Sequence, residues 1–98
     1  MSHSIGRGTY YNFRANLSLG QFAVQSNQYE KAVSRFKTAI ANAPKKENIV
    51  EPYFYLAESY KQLGMKKEAI AAYQKCKDMI PDPIIGQKID QYIKQLQN

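Results

Sequence analysis

The side chains of this chain that could do chemistry are few and far apart. Cys76 is the lone thiol and His3 the lone imidazole. A nucleophile needs its base, and a metal its ligands, within a few ångströms. His3 lies in a polar segment, residues 1–8 with two glycines, that reads as a flexible tail and a poor anchor for either. Cys76 falls among apolar residues at helical spacing, where a cysteine serves as a small core hydrophobe and not as a reactive thiol. No carboxylate pair stands beside a base, and no glycine-rich loop could cradle a phosphate. The expectation is a protein that is not an enzyme and holds no cofactor or metal.

The remaining chemistry is that of charge and rings. Fourteen basic residues against eight acidic ones give a net charge of +6, which favours an acidic partner or a negatively charged surface. Arg7, Tyr10, Tyr11, Phe13 and Arg14 interleave cations with stacking rings, as single-strand binders do. Lys31, Arg35, Lys37, Lys45 and Lys46 could add a phosphate-facing stripe. These cations scatter over several segments, and no base-reading motif accompanies them, so nucleic-acid binding is the lesser alternative. A single cysteine excludes an internal disulfide framework and fits a reducing compartment. The first residues contain no apolar run of the secretory kind, so a cytoplasmic location is expected. Nowhere do 18 apolar residues follow one another, so no membrane insertion is expected.

The elements that must position any binding surface are repeated. Ala32 and Ala69, Phe36 and Tyr73, Ala39 and Cys76, and Pro44 and Pro81 are each 37 residues apart. A constant offset of this size signals stacked supersecondary units and not one core with a pocket. The period within each unit is helical. A first helix is expected from Thr9, as its cap, to Ser26, with Phe13, Leu17, Leu19, Gly20, Ala23 and Val24 as its apolar and small residues. Gly20 inside it suggests close approach by a bulky neighbour, since glycine there costs about 1 kcal/mol against alanine. The second helix, Tyr29 to Ala43, carries Ala32, Val33, Phe36, Ala39, Ile40 and Ala43 on one stripe.

Pro44 ends that run and Lys45–Asn48 reads as a solvated loop. Pro52 suits the first turn of a third helix, which shows Tyr53, Leu56, Ala57, Tyr60 and Leu63 and closes at Gly64, a left-handed C-cap. A fourth helix after Met65 buries Ala69, Ile70, Tyr73, Cys76 and Ile80. Asp82 caps and Pro83 opens a fifth, with a stripe of Ile85, Ile89, Tyr92, Ile93 and Leu96. The fold class is all-α.

The pattern resembles the tetratricopeptide repeat family, a helix–turn–helix of about 34 residues with fixed aromatic, Leu-Gly, Tyr, Ala, Phe and Pro positions. Tyr53, Leu56, Tyr60, Gly64, Ala69, Tyr73 and Pro81 match in one copy; Leu19, Gly20, Tyr29, Ala32, Phe36, Ala39 and Pro44 match in the other. The resemblance implies a right-handed α-solenoid over residues 9–98: one repeat at 13–46, another at 50–83, and a terminal helix at 83–97. A third copy in register would turn Gln87, Asp90, Gln91 and Lys94 inward, so the last helix is expected to rotate and cap the array with a polar outer face.

By the same resemblance, the first helix of each repeat lines a concave groove for a partner's peptide or helix. The residues so implied include Leu17, Gln21, Phe54, Tyr55, Glu58 and Lys61, beside Arg14, Val24, Gln25, Glu51 and Gln62. Leu17, Gln21, Tyr55, Ile85 and Ile89 stand where carboxylate-gripping members carry Lys, Asn and Arg. Chaperone-tail binding is therefore not expected. The function implied is a non-catalytic protein–protein interaction module. Two alternatives stay open: closure of the groove by Phe54 and Tyr55 packing on the terminal helix, and self-association through the uncovered Tyr10, Tyr11 and Phe13.

Overall fold

The computed structural model describes residues 5–97. Among them are five α-helices and no strand: α1 (Ile5–Gln25), α2 (Tyr29–Ala41), α3 (Val50–Gln62), α4 (Lys66–Met79) and α5 (Pro83–Gln97). α1 packs on α2 and α3 on α4 as two hairpins; α2 then packs on α3, and α4 on α5. The result is a short helical solenoid. None of the described helices is long and apolar enough to cross a membrane.

The hairpin turns repeat in atomic detail. Asn27 and Gly64, 37 residues apart, are the two left-handed positions, with φ of 61° and 76°. After each, the next backbone N–H donates back into the preceding helix: Gln28 to the Ala23 carbonyl at 2.8 Å, Met65 to the Tyr60 carbonyl at 2.9 Å. This closes the helix end in the Schellman manner. At the other joint, the Asp82 carboxylate accepts the Ile84 N–H at 2.9 Å, so Asp82 caps α5 and Pro83 opens it.

The core explains the glycine within α1. A Cβ on Gly20 would lie 2.5 Å from the Phe36 ring, so only glycine lets that fully buried ring seat against α1. Ala57 holds the equivalent place in α3, opposite the equally buried Tyr73.

Several expectations are corrected. α1 begins at Ile5, not Thr9, because no proline precedes residue 44 and a nucleated helix propagates until something stops it. Of the tail expected over 1–8, residues 1–4 with His3 lie outside the described residues. The loop after Pro44 contains a 3-10 turn, Lys46–Ile49, while Pro52 stands in the first turn of α3 as expected and is buried there. Leu19 is half-exposed, while Phe13 is buried.

The largest correction concerns α5, which keeps the repeat register. Ile89 and Ile93 are buried, and they stand 37 residues after the buried Pro52 and Leu56. Tyr92 packs on Tyr73 at 5.5 Å between centroids, as Tyr55, 37 residues earlier, stacks on Phe36 at 5.4 Å. Gln87, Asp90, Gln91 and Lys94 are nevertheless exposed, since they occupy the face that a partner helix of the same repeat would cover.

Candidate peptide-binding groove

A row of aromatic rings crosses the molecule and supports the surface on α3. Tyr55 lies flat on Phe36; Phe54 meets Tyr55, Tyr73 and Tyr92 edge-on or tilted, with centroids 6.0–6.3 Å apart. Such offset and edge arrangements suit the ring quadrupoles and hold each ring in one orientation. Phe54 and Tyr55 remain half-exposed on top of this row.

Between α3 and α5 the rings open onto a cleft of about 300 Å³. Phe54, Tyr55, Ile85, Ile89 and Tyr92 line it, with Glu51 and Lys88 as its charged groups. Phe54 does touch α5 through Tyr92, but Tyr55 packs back onto α2, so α5 leaves the space between them unfilled. An apolar floor with one charge of each sign suits a side chain anchored from a peptide.

The six residues expected in the groove have separate fates. Phe54 and Tyr55 line the cleft. Glu58 accepts a hydrogen bond from the Tyr73 hydroxyl and is half-buried. Burial, followed by that bond and the nearby carboxylate charge, pushes the Tyr73 hydroxyl well above the ordinary tyrosine range. Gln21 is half-buried and Lys61 exposed, both outside the cleft. Leu17 is only 3% exposed: the stripe it shares with Phe13 is drawn into the core. Ile85, set at a groove position by the resemblance, does line the cleft, whereas Lys88 and Tyr92 go unassigned when α5 is taken as a rotated cap. The 37-residue offset from Glu51 and Tyr55 points to both.

Two segments of the chain, residues 13–46 and 50–83, match the family model of the tetratricopeptide repeat. Together they make up about two-thirds of the sequence. The chain belongs to the tetratricopeptide repeat family. No curated protein and no solved structure matches it. Tetratricopeptide repeats are in general protein–protein interaction modules.

For a tetratricopeptide array the larger cleft of the molecule lies in an unexpected place. It measures about 450 Å³, between α2 and α4 over Tyr53, Leu56 and Tyr60. The Lys37 ammonium stands 5.9 Å from the centre of the Tyr60 ring there, so the protein's own cation already covers the aromatic surface. Size favours this cleft; the one between α3 and α5 is set apart by its lining, since Phe54 and Tyr55 of the expected groove open onto it. Cys76 offers no reactivity to either, for burial pushes its thiol up to about 12 and its Sγ contacts the Val50 carbonyl at 3.5 Å.

Proposed function

We propose that this tetratricopeptide chain is a non-catalytic interaction module that takes a peptide or helical segment of a partner protein between α3 and α5. The observation that carries the reading is the 300 Å³ cleft, apolar at its floor and flanked by Glu51 and Lys88. The preferred segment presents one large apolar side chain to Phe54, Tyr55 and Ile85, with an acidic residue nearby to meet Lys88. The net charge of +6 also favours acidic flanks. Affinity comes from the anchor and orientation from the charges.

A peptide-display selection on the purified chain tests the reading, with Ile85→Glu/Lys88→Glu as the control. Both side chains are exposed, so the control keeps its fold while the cleft becomes acidic. Enriched peptides that share an apolar anchor and bind the control at least tenfold more weakly would support the site. Peptides that bind both proteins equally, or no enrichment at all, would remove it.

A further inference from the structure

One helix face occurs three times in this molecule and is covered twice. In α3 it comprises Pro52, Tyr55, Leu56 and Ser59; in α5, Ile89, Tyr92, Ile93 and Leu96. Each packs on the second helix of the preceding unit, α2 or α4. The same positions in α1 are Ala15, Ser18, Leu19 and Phe22, with Tyr11 one turn earlier. Here Ala15 is half-buried, but nothing covers the large side chains among the described residues: Tyr11 is 73%, Phe22 65% and Leu19 44% exposed.

We infer that this face of α1 pairs with the same face of a second copy, as an antiparallel helix pair about a two-fold axis beside Ala15 and Ser18. Three arguments select that occupant. The first is self-complementary spacing. Tyr11 and Phe22 lie equally far from the midpoint of Ala15 and Ser18. Reversing a second α1 about that midpoint sets Tyr11 of each copy against Phe22 of the other and small residue against small residue at the crossing. An isologous contact requires this reciprocity.

The second argument is charge. Two copies each carrying +6 repel, so contact is tolerated only through an uncharged face. From Thr9 to Gln25 the single charged residue is Arg14, and it lies off the face. The third is area. The exposed parts of Tyr11, Leu19 and Phe22 from two copies amount to roughly 600 Å², taking about 150–250 Å² for each whole aromatic side chain. With the exposed parts of Ala15 and Ser18 the contact reaches roughly 800 Å², the size of a weak, transient pair rather than of a permanent dimer. A second copy has no free helix of the α2 or α4 kind to offer instead, since α2 is flanked by α1 and α3 and α4 by α3 and α5.

Sedimentation equilibrium of the whole chain from about 10 μM to 1 mM, beside Phe22→Glu, tests the pairing. The expected result is a reversible dimer of the wild type, not weakened by added salt, and a dimer constant at least tenfold weaker in Phe22→Glu. The circular-dichroism melt of the variant should be unchanged, because Phe22 supports no core contact. A mixture of Ala15→Cys and Ser18→Cys chains should cross-link under mild oxidation faster than either alone, since position 15 faces position 18 across the axis. A chain that stays monomeric at 1 mM would overturn the inference and leave the face to a different protein element. A dimer that Phe22→Glu leaves intact would overturn it too, as would equal cross-linking of the mixture and the single variants.

Discussion

The two repeats put different chemistry into the same frame. At the centre of the first, Phe36 and Ala39 are buried beside Gly20; at the centre of the second, Tyr73 and Cys76 are buried beside Ala57. The first core contains nothing that titrates. The second contains a phenol and a thiol, and it spends a half-buried carboxylate, Glu58, on holding the phenol. Ring size and helix spacing change little between them. The frame thus needs a large flat ring and a small neighbour, and polar atoms enter only where a partner lies within reach.

Raising the pH should break this likeness most strongly. Burial pushes the Cys76 thiol up to about 12, and burial together with Glu58 holds the Tyr73 hydroxyl above its ordinary value of 10. Each group binds its proton more tightly folded than unfolded. Its contribution to stability is therefore complete below the unfolded pKa, about 9 for the thiol, and is lost as pH rises towards the folded value. Thermal melts from pH 8 to 11.5 should show the midpoint falling steeply above about pH 9. A Tyr73→Phe/Cys76→Ala variant, whose second core copies the first, should show a shallower fall. Equal slopes would place the alkaline sensitivity outside the second repeat.

The exchange of Gly20 and Ala57 has the next largest effect, and it works against helix propensity. Gly20→Ala gains about 1 kcal/mol of intrinsic helix preference. The new methyl would press on the buried Phe36 ring, and such overpacking costs about 1–3 kcal/mol. Ala57→Gly loses both propensity and a buried methyl, about 1–2 kcal/mol in all. Urea melts should find both variants less stable than the parent. A stabilised Gly20→Ala would mean that Phe36 can retreat.

Much of this frame could be read from residue types. Gly20, Gly64 and the Asp82-Pro83 pair each have a conformation or a close approach that few other residues allow, so their roles follow from identity alone. The constant offset placed both hairpins. What periodicity cannot say is which apolar face is covered. Leu19 and Leu56 are equivalent, yet one is half-exposed and the other 4% exposed, because among the described residues only Leu56 has an earlier helix pair to rest on. Leu17 is buried and Lys88 goes unassigned for the same reason: exposure depends on neighbours far away in sequence. The fifth helix was expected to rotate because its polar residues seemed to forbid the register. They are tolerated because no helix among the described residues lies on that side.

The left-handed turns offer a smaller contrast. Nothing lies within 4 Å of a Cβ on Gly64, so Gly64→Ala isolates the backbone term, about 1–2 kcal/mol for an L residue held at positive φ. Asn27 already tolerates that region, and its side-chain oxygen accepts the Tyr29 hydroxyl at 3.1 Å. Asn27→Gly should therefore stay within about 0.5 kcal/mol of the parent in a denaturant melt, since relief of backbone strain offsets a lost surface bond and a freer unfolded chain.

The smallest effect separates the two joints between units. Lys77 and Asp90 bridge α4 and α5 at 2.8 Å, with side chains 40% and 52% exposed. The equivalent residues between α2 and α3 are Ile40 and Tyr53, partly buried against the core. An exposed ion pair is worth about 0–1 kcal/mol, while truncating a packed apolar side chain removes roughly 0.8 kcal/mol for each buried methylene. Asp90→Ala should thus lower stability by less than about 0.5 kcal/mol, and by still less in 1 M salt, where the Debye length shrinks to about 3 Å. Ile40→Ala should cost more and be indifferent to salt. If Asp90→Ala proves the costlier of the two, the pair holds α5 in its register, and electrostatics rather than Ile89 and Ile93 fixes the terminal helix.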